Sequence, residues 1–187
     1  MQAPSRLLPF PRSDDPQGRD DRLATPALLS ERGFALRPAR DDDLPWLRTL
    51  YASTRAEELA PIPWPDEAKR AFLDSQFALQ HQHYLLHYAD ADFLAIERDG
   101  APVGRYYLQR RAPDHLIVDI SLLTAARGQG IASALIEHSQ RDAAALGRGL
   151  HLHVASDNAG ALRLYRRLGF VQTEDSGAHR RMRWPAP

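Results

Sequence analysis

The chain has 187 residues, 43% of them hydrophobic and 26% charged, which is enough to bury one sizeable core and has the balance of an ordinary globule. Its 24 Lys and Arg offset 24 Asp and Glu, so no net field draws it to nucleic acid or to an anionic membrane. A cysteine count of 0 removes disulfides, zinc–thiolate sites and an acyl-cysteine intermediate, so any acyl transfer is direct or uses another nucleophile.

No apolar run approaches the roughly 20 residues of a membrane span. The start of the chain, with Pro4, Pro9, Pro11 and the Asp14-Asp15 pair, lacks the apolar segment of a signal peptide, and the protein reads as cytoplasmic. Residues 1–30 are rich in Pro, Asp and Arg with little periodicity, which predicts a loosely held N-terminal extension ahead of a single domain over 31–187. Leu7, Leu8 and Phe10 are its apolar residues available to dock on the domain or on a partner.

Residues 33–38 alternate as a short strand that Pro38 ends. Asp41, Asp42 and Asp43 then supply capping charge for a helix carrying Leu44, Trp46, Leu47, Leu50 and Tyr51. A segment over 53–65, with Glu57, Glu58, Trp64 and Pro61, Pro63 and Pro65, leads into a long helical stretch over about 66–84. Glu57 and Glu58 read as solvated helix charges, although carboxylates and an indole there could hold an ammonium group. Strands follow over 91–97 and 103–110, joined by a turn at Asp99-Gly100. The most apolar strand, 116–123, is expected at the centre of a sheet. A helix over 130–146 has Ile131, Leu135, Ala143 and Leu146 on one face and Gly147 as its stop. A strand over 150–155, a helix capped by Ser156-Asp157 and stopped at Gly169, and a hairpin-like pair at 170–172 and 180–184 complete the chain.

Residues 127–133 read Arg-Gly-Gln-Gly-Ile-Ala-Ser between the apolar strand and the following helix. Backbone N–H groups with little side chain above them, at a helix start, make an anion cradle. Gly128 and Gly130 allow close approach to a phosphate, Arg127 adds charge, and Ser133 adds a hydroxyl donor, so a phosphorylated cofactor is the implied ligand. A Walker A loop would end in Gly-Lys-Ser/Thr, and the only lysine is Lys69. A dinucleotide fingerprint needs Gly or Ala where Ser133 stands.

Arg127, Gly130 and Ala132 match Arg/Gln-x-x-Gly-x-Gly/Ala, and Asn158, Tyr165 and Leu168-Gly169-Phe170 match a second motif in the same order; Asn158 is the only asparagine in the chain. Together these motifs resemble the GNAT N-acetyltransferase superfamily, specifically over 116–170 and generally before that. The resemblance implies an α/β (α+β) fold, a mostly antiparallel sheet of six to seven strands, splayed in the middle and flanked by helices. It also implies transfer of an acetyl group from acetyl-coenzyme A to an amine acceptor. Leu122, Leu123, Arg127, Gly128, Gln129, Gly130, Ile131, Ala132, Ser133, Asn158 and Tyr165 would then bind the cofactor. The pantetheine arm would follow the strand ending at Leu122-Leu123, with a backbone N–H near Leu122 polarising the thioester oxygen. Tyr165 corresponds to the tyrosine that protonates the departing thiolate, a transfer uphill by only about 2 kcal/mol between ordinary pKa values.

Three routes remain for the base. His153 stands where the amino-terminal acetyltransferases of this superfamily carry Glu, a departure that leaves the acceptor open. Asp119 is a carboxylate in an apolar strand, which calls for a partner or a function. A water chain is the third. His81, His83 and His87 include a helical i, i+4 pair, but no zincin-type acid lies between them, so no metal is expected. A small molecule, a peptide N-terminus or a protein lysine all fit as acceptor, a different acyl donor and a non-catalytic coenzyme A-binding module are the alternatives, and a homodimer through sheet edges suits such a fold.

Overall fold

The computed structural model describes residues 7–11 and 23–186; the rest of the expected extension, 1–6 and 12–22, lies outside the described residues. A seven-stranded sheet is built from β1 (Phe34–Pro38), β2 (Asp92–Arg98), β3 (Ala101–Gln109), β4 (Asp114–Leu122), β5 (Gly149–Ala155), β6 (Val171–Asp175) and β7 (His179–Trp184), in the order β1-β2-β3-β4-β5-β7-β6. Only β4 and β5 run parallel, and α4 (Ile131–Ala145) is the crossover between them, as a parallel pair requires. All other neighbours are antiparallel.

One core lies on each face of the sheet. α4, α5 (Ala159–Arg167) and the short α1 (Ala27–Ser30) cover one face, burying Leu29, Leu135, Ile136, Leu162 and Tyr165 against Ile96, Leu108, Ile117 and Leu152. α2 (Leu44–Leu59) and α3 (Asp66–His87) cover the other, where Leu47, Leu50, Tyr51 and Phe77 meet Phe93 and Tyr107. Phe10 docks in this second core, its ring edge-on to His81, Phe93 and Tyr107, while its N–H donates to Asp41 at 2.8 Å. His81 Nε2 bonds the Leu8 carbonyl at 2.7 Å, which explains a buried histidine without a metal. Among the described residues no group of acids and histidines is arranged to hold a metal ion, and no helix is long and apolar enough to cross a membrane.

Four sequence expectations change. α2 continues unbroken through Ser53 to Leu59, because the chain-breaking prolines begin only at Pro61. α5 is capped by Asn158, whose Oδ1 accepts from Ala161 N–H at 3.0 Å, rather than by Ser156-Asp157. Leu146 leaves the helical path (φ −104) and is 55% exposed instead of joining the buried face of α4. α1 was not legible at all, being a single turn that buries Leu29.

β4 carries the feature that shapes the site. Tyr107 faces Asp119 and Leu108 faces Ile117, so Val118 is an extra residue in β4, a bulge. Parallel pairing with β5 covers only Asp114↔Gly149 to Ile117↔Leu152 and stops at that bulge. Bulges bend and twist a strand, and beyond it β4 swings away from β5. The closed end of this fork is locked by Arg183 on β7, which grips Asp114 with two hydrogen bonds of 2.6 and 2.8 Å. Gly149 fits beneath them, where a Cβ would meet Asp114 Oδ1 at 2.5 Å and the Trp184 carbonyl at 2.8 Å. That guanidinium holds the Asp114 carboxyl below its ordinary pKa.

Candidate active site

Between the diverging halves of β4 and β5 lies a cleft of about 930 Å³, walled by residues 117–122 of β4, 152–155 of β5, the start of α5 and the end of α2. The β3–β4 ladder dictates which backbone groups face it. Leu123 N–H donates to the Val103 carbonyl at 2.9 Å, so Leu122, opposite Gly104, occupies a non-hydrogen-bonded position of the ladder. Its N–H and C=O therefore turn away from β3, as do those of Ile120 two residues earlier. The Leu122 carbonyl is met from that side by Arg127 Nε at 3.0 Å. Leu123, by contrast, has its N–H engaged with β3.

Gly104 is glycine for steric reasons: a Cβ there would meet the Ser121 carbonyl at 2.5 Å and Leu122 Cδ2 at 2.6 Å. Gly104→Ala must push β4 where it forms the cleft wall. It is expected to cost about 1–3 kcal/mol in chemical denaturation.

At the open end of the fork the chain turns into α4. Gly128 and Gly130 both adopt left-handed backbone (φ +73 and +76), and a Cβ at either would meet nothing within 4 Å, so the ground above the loop is clear. Gly130 caps α4 without a side-chain hydrogen bond, which leaves the N–H groups of Ile131, Ala132 and Ser133 with neither an intrahelical acceptor nor a capping side chain. Gln129 is fixed by its own bond to the Ala125 carbonyl (2.8 Å) and by Arg98 Nη1 (3.2 Å). Arg98 is thus a second cation beside the loop, one that sequence reading missed because it comes from β2.

Tyr165 stands on α5 in the cleft wall, 7% exposed. Burial first, and the charge of Asp119 second, push its phenol up to about 12. His153 points from β5 to the cleft side; burial and then Arg181 lower its pKa, so it is neutral at physiological pH. Asn158 Oδ1 is occupied as the α5 cap, and the residue borders the cleft.

Asp119 has the partner its apolar strand demanded. Its Oδ2 accepts from Arg105 Nη2 at 2.8 Å and Tyr84 hydroxyl at 2.9 Å, and its Oδ1 from Ser121 Oγ at 2.6 Å. Arg105, its side chain 4% exposed, also donates to Gln80 Oε1 at 2.6 Å and lies against the Tyr84 and Tyr107 rings. These three donors occupy both oxygens of the Asp119 carboxyl and fix it against Arg105, Tyr84 and Ser121. Arg105, Gln80 and Tyr84 were not anticipated; the signal available was an arginine inside the apolar run 103–108.

Near the neck of the fork, burial and then Arg181 push the His151 imidazole down to about 4. The unfolded side chain protonates near pH ~6.5 and the native one does not until about pH 4, so stability falls as pH drops through that window. Burial lowers His81, His115 and His153 in the same direction. The melting temperature should therefore decline from about pH 7 to about pH 4.5, and His151→Gln should flatten part of that slope in thermal scans.

The acetyltransferase (GNAT) family model matches residues 48–170. The chain belongs to the GNAT acetyltransferase family. No curated protein matches the chain, whereas solved GNAT structures share its fold. The PaiA N-acetyltransferase from Thermoplasma acidophilum, solved with coenzyme A, is 16% identical with a TM-score of 0.64, over 81% of this chain and 98% of that one. The ribosomal-protein-S18-alanine N-acetyltransferase from Escherichia coli is 20% identical with a TM-score of 0.54, over 81% and 93%. Naa50 from Arabidopsis thaliana, bound to the bisubstrate analogue CoA-Ac-MVNAL, is 19% identical with a TM-score of 0.52, over 81% and 97%. The α/β architecture expected of a GNAT domain, a splayed and mostly antiparallel sheet between helices, is the one observed.

Proposed function

We propose that this GNAT domain is an N-acetyltransferase that moves the acetyl group of acetyl-coenzyme A directly to an amine. The reading rests on one arrangement: a fork between β4 and β5 that begins at the Val118 bulge and runs to the glycine loop, with Leu122 N–H turned into it and Tyr165 in its wall. The diphosphate sits on the N–H groups of 128–133, where the α4 dipole and Arg127 favour negative charge. The pantetheine arm lies beside β4 as a strand would, bonding the backbone groups of Ile120 and the N–H of Leu122 that turn away from β3. Leu122 N–H takes the thioester oxygen as negative charge develops on it. The amine nitrogen then bonds the carbonyl carbon as the carbon–sulfur bond breaks. Tyr165 gives its proton to the sulfur, and the nitrogen loses one to His153 or to water.

Of the two residues weighed as base, His153 is the better: its ring lines the cleft and burial disfavours its charged form, whereas both Asp119 oxygens are already occupied by Arg105, Tyr84 and Ser121 in the cleft wall. Glu57, exposed at the end of α2 beside the cleft, is placed to meet an incoming ammonium group, while Glu58 is paired with Arg55 at 2.9 Å. The amine-bearing acceptor, small molecule or peptide, enters from that side.

Calorimetry with coenzyme A and acetyl-coenzyme A tests the cofactor; no heat at high micromolar ligand would remove the proposal. Thiol release across a panel of amines and peptides tests the transfer. Binding without turnover on every acceptor would mark a non-catalytic coenzyme A-binding module instead.

A further inference from the structure

α3 breaks a rule that surface helices follow. Its buried side is set by Phe77, His81 and Leu85. The face pointing directly away from the core should be the most charged. At 100° per residue that outermost face consists of Ala68, Phe72, Gln76, Leu79, His83 and Leu86, with Lys69, Ser75 and His87 at its margins and Gln82 just beyond. The six residues of that face include no acid, lysine or arginine. Phe72 is 38% exposed, Leu79 60% and Leu86 62%, at a strict seven-residue spacing, and Trp64, 44% exposed, packs edge-on against Phe72 to extend the stripe. The acids and bases of the helix (Asp66, Glu67, Lys69, Arg70, Asp74) lie on its flanks and inner edges instead.

We propose that this stripe is a homodimer interface in which α3 packs antiparallel against α3 of a second copy, with Leu79 on the two-fold axis. What selects a second copy over any other occupant is that the stripe is palindromic about Leu79. Two-fold pairing of antiparallel helices opposes residues whose numbers sum to twice that of the axis residue. Phe72 then meets Leu86 of the partner subunit, Ser75 meets the partner's His83, Gln76 meets the partner's Gln82, and Leu79 meets itself. In these four pairings apolar faces apolar and hydrogen-bonding groups face each other, as an isologous interface requires. A single helix pair of this length is at the small end of specific interfaces, which points to association in the micromolar range. The inner side of the same helix bears Gln80 and Tyr84, so the dimer would stiffen the wall that supports Arg105 and Asp119. The proposal stands independently of the acetyl-transfer reading.

The chain offers a direct test because it has no cysteine of its own. Helices packed about 8–10 Å apart, each with Cα atoms about 2.3 Å from its axis, leave facing Cα atoms about 3.4–5.4 Å apart, the wider spacings within disulfide range. Leu79→Cys in the full chain should therefore oxidise to a covalent dimer at least about tenfold faster than Leu28→Cys, a control on α1 that is 58% exposed. In sedimentation velocity from about 1 to about 200 μM, the wild type should shift from monomer to dimer, and Leu79→Glu should move that transition at least about tenfold higher. Leu79 is mostly solvent-exposed in the protomer, and an unchanged melting curve for Leu79→Glu identifies the effect as one on assembly. Equal cross-linking rates for the two cysteine variants would overturn the proposal, as would a wild type monomeric throughout or a dimer insensitive to Leu79→Glu.

Discussion

Tyr165→Phe is expected to lower turnover by about 100-fold or more while leaving coenzyme A affinity within about twofold. The phenol is buried on α5 in the cleft wall, and no hydrogen bond to another described residue occupies its hydroxyl. A tyrosine held only for packing would lose little on becoming Phe; one that delivers a proton to the departing sulfur loses the general-acid contribution, typically 10²–10⁴-fold. Its raised pKa might look like an obstacle, since proton transfer from a phenol at about 12 to an ordinary thiol near ~8.5 is uphill by roughly 5 kcal/mol. The thiolate, however, is born in the same desolvated cleft, which destabilises it as well and narrows the gap. The shift also has a visible consequence. With the phenol pushed up to about 12, the wild-type rate should not fall between about pH 8 and about pH 10 through loss of this proton. Steady-state kinetics and calorimetry on the pair of proteins decide it; an unchanged rate for Tyr165→Phe would rule out the acid role.

Arg105→Met is expected to be the most destabilising single change near the site, about 3–5 kcal/mol in chemical denaturation. The guanidinium is almost wholly buried, and its removal strands the Asp119 carboxylate in an apolar setting with only Tyr84 and Ser121 as donors. Adding Asp119→Asn to Arg105→Met should recover a substantial part of the loss, because the second change removes the unpaired charge. If the double variant were no more stable than the single one, the pairing would not be what holds β3, β4 and α3 together at this point. Turnover should fall with the first change even where the protein remains folded, since Tyr84, Gln80 and the cleft floor all depend on this one cation.

What could be read in advance was what is local in sequence. The loop at 127–133 and the Asn158 to Phe170 motif are contiguous, and each glycine or cap in them has a meaning that neighbours along the chain supply. The helix stops at Gly147 and Gly169 were legible for the same reason, and both glycines are left-handed (φ +64 and +84). The network around Asp119 was not, because Gln80, Tyr84, Arg105 and Asp119 lie on three elements and meet only once the β3–β4 register is known. The bulge was hidden in the same way: Ile117, Val118, Asp119 and Ile120 show no alternation from which an extra residue would stand out, yet it sets Val118 and Asp119 on the same face of the sheet while Ile117 and Ile120 lie on the other. The docking of Phe10 and the turn at α1 escaped because so few residues carry them that composition outweighs pattern, and their partners lie far along the chain.

The bulge at Val118 also bears on how such a domain drifts over time. In the proposed binding mode, a ligand arm gripped through the peptide groups of Ile120 and Leu122 would not register which side chains those positions display, provided the strand keeps its bend. Mutation can then rewrite the lettering of the binding surface without erasing the surface, and relatives only 16–20% identical can retain one shape. On the proposed reading, conservative exchanges at Ile120 or Leu122 should accordingly be nearly silent, although both residues line the cleft.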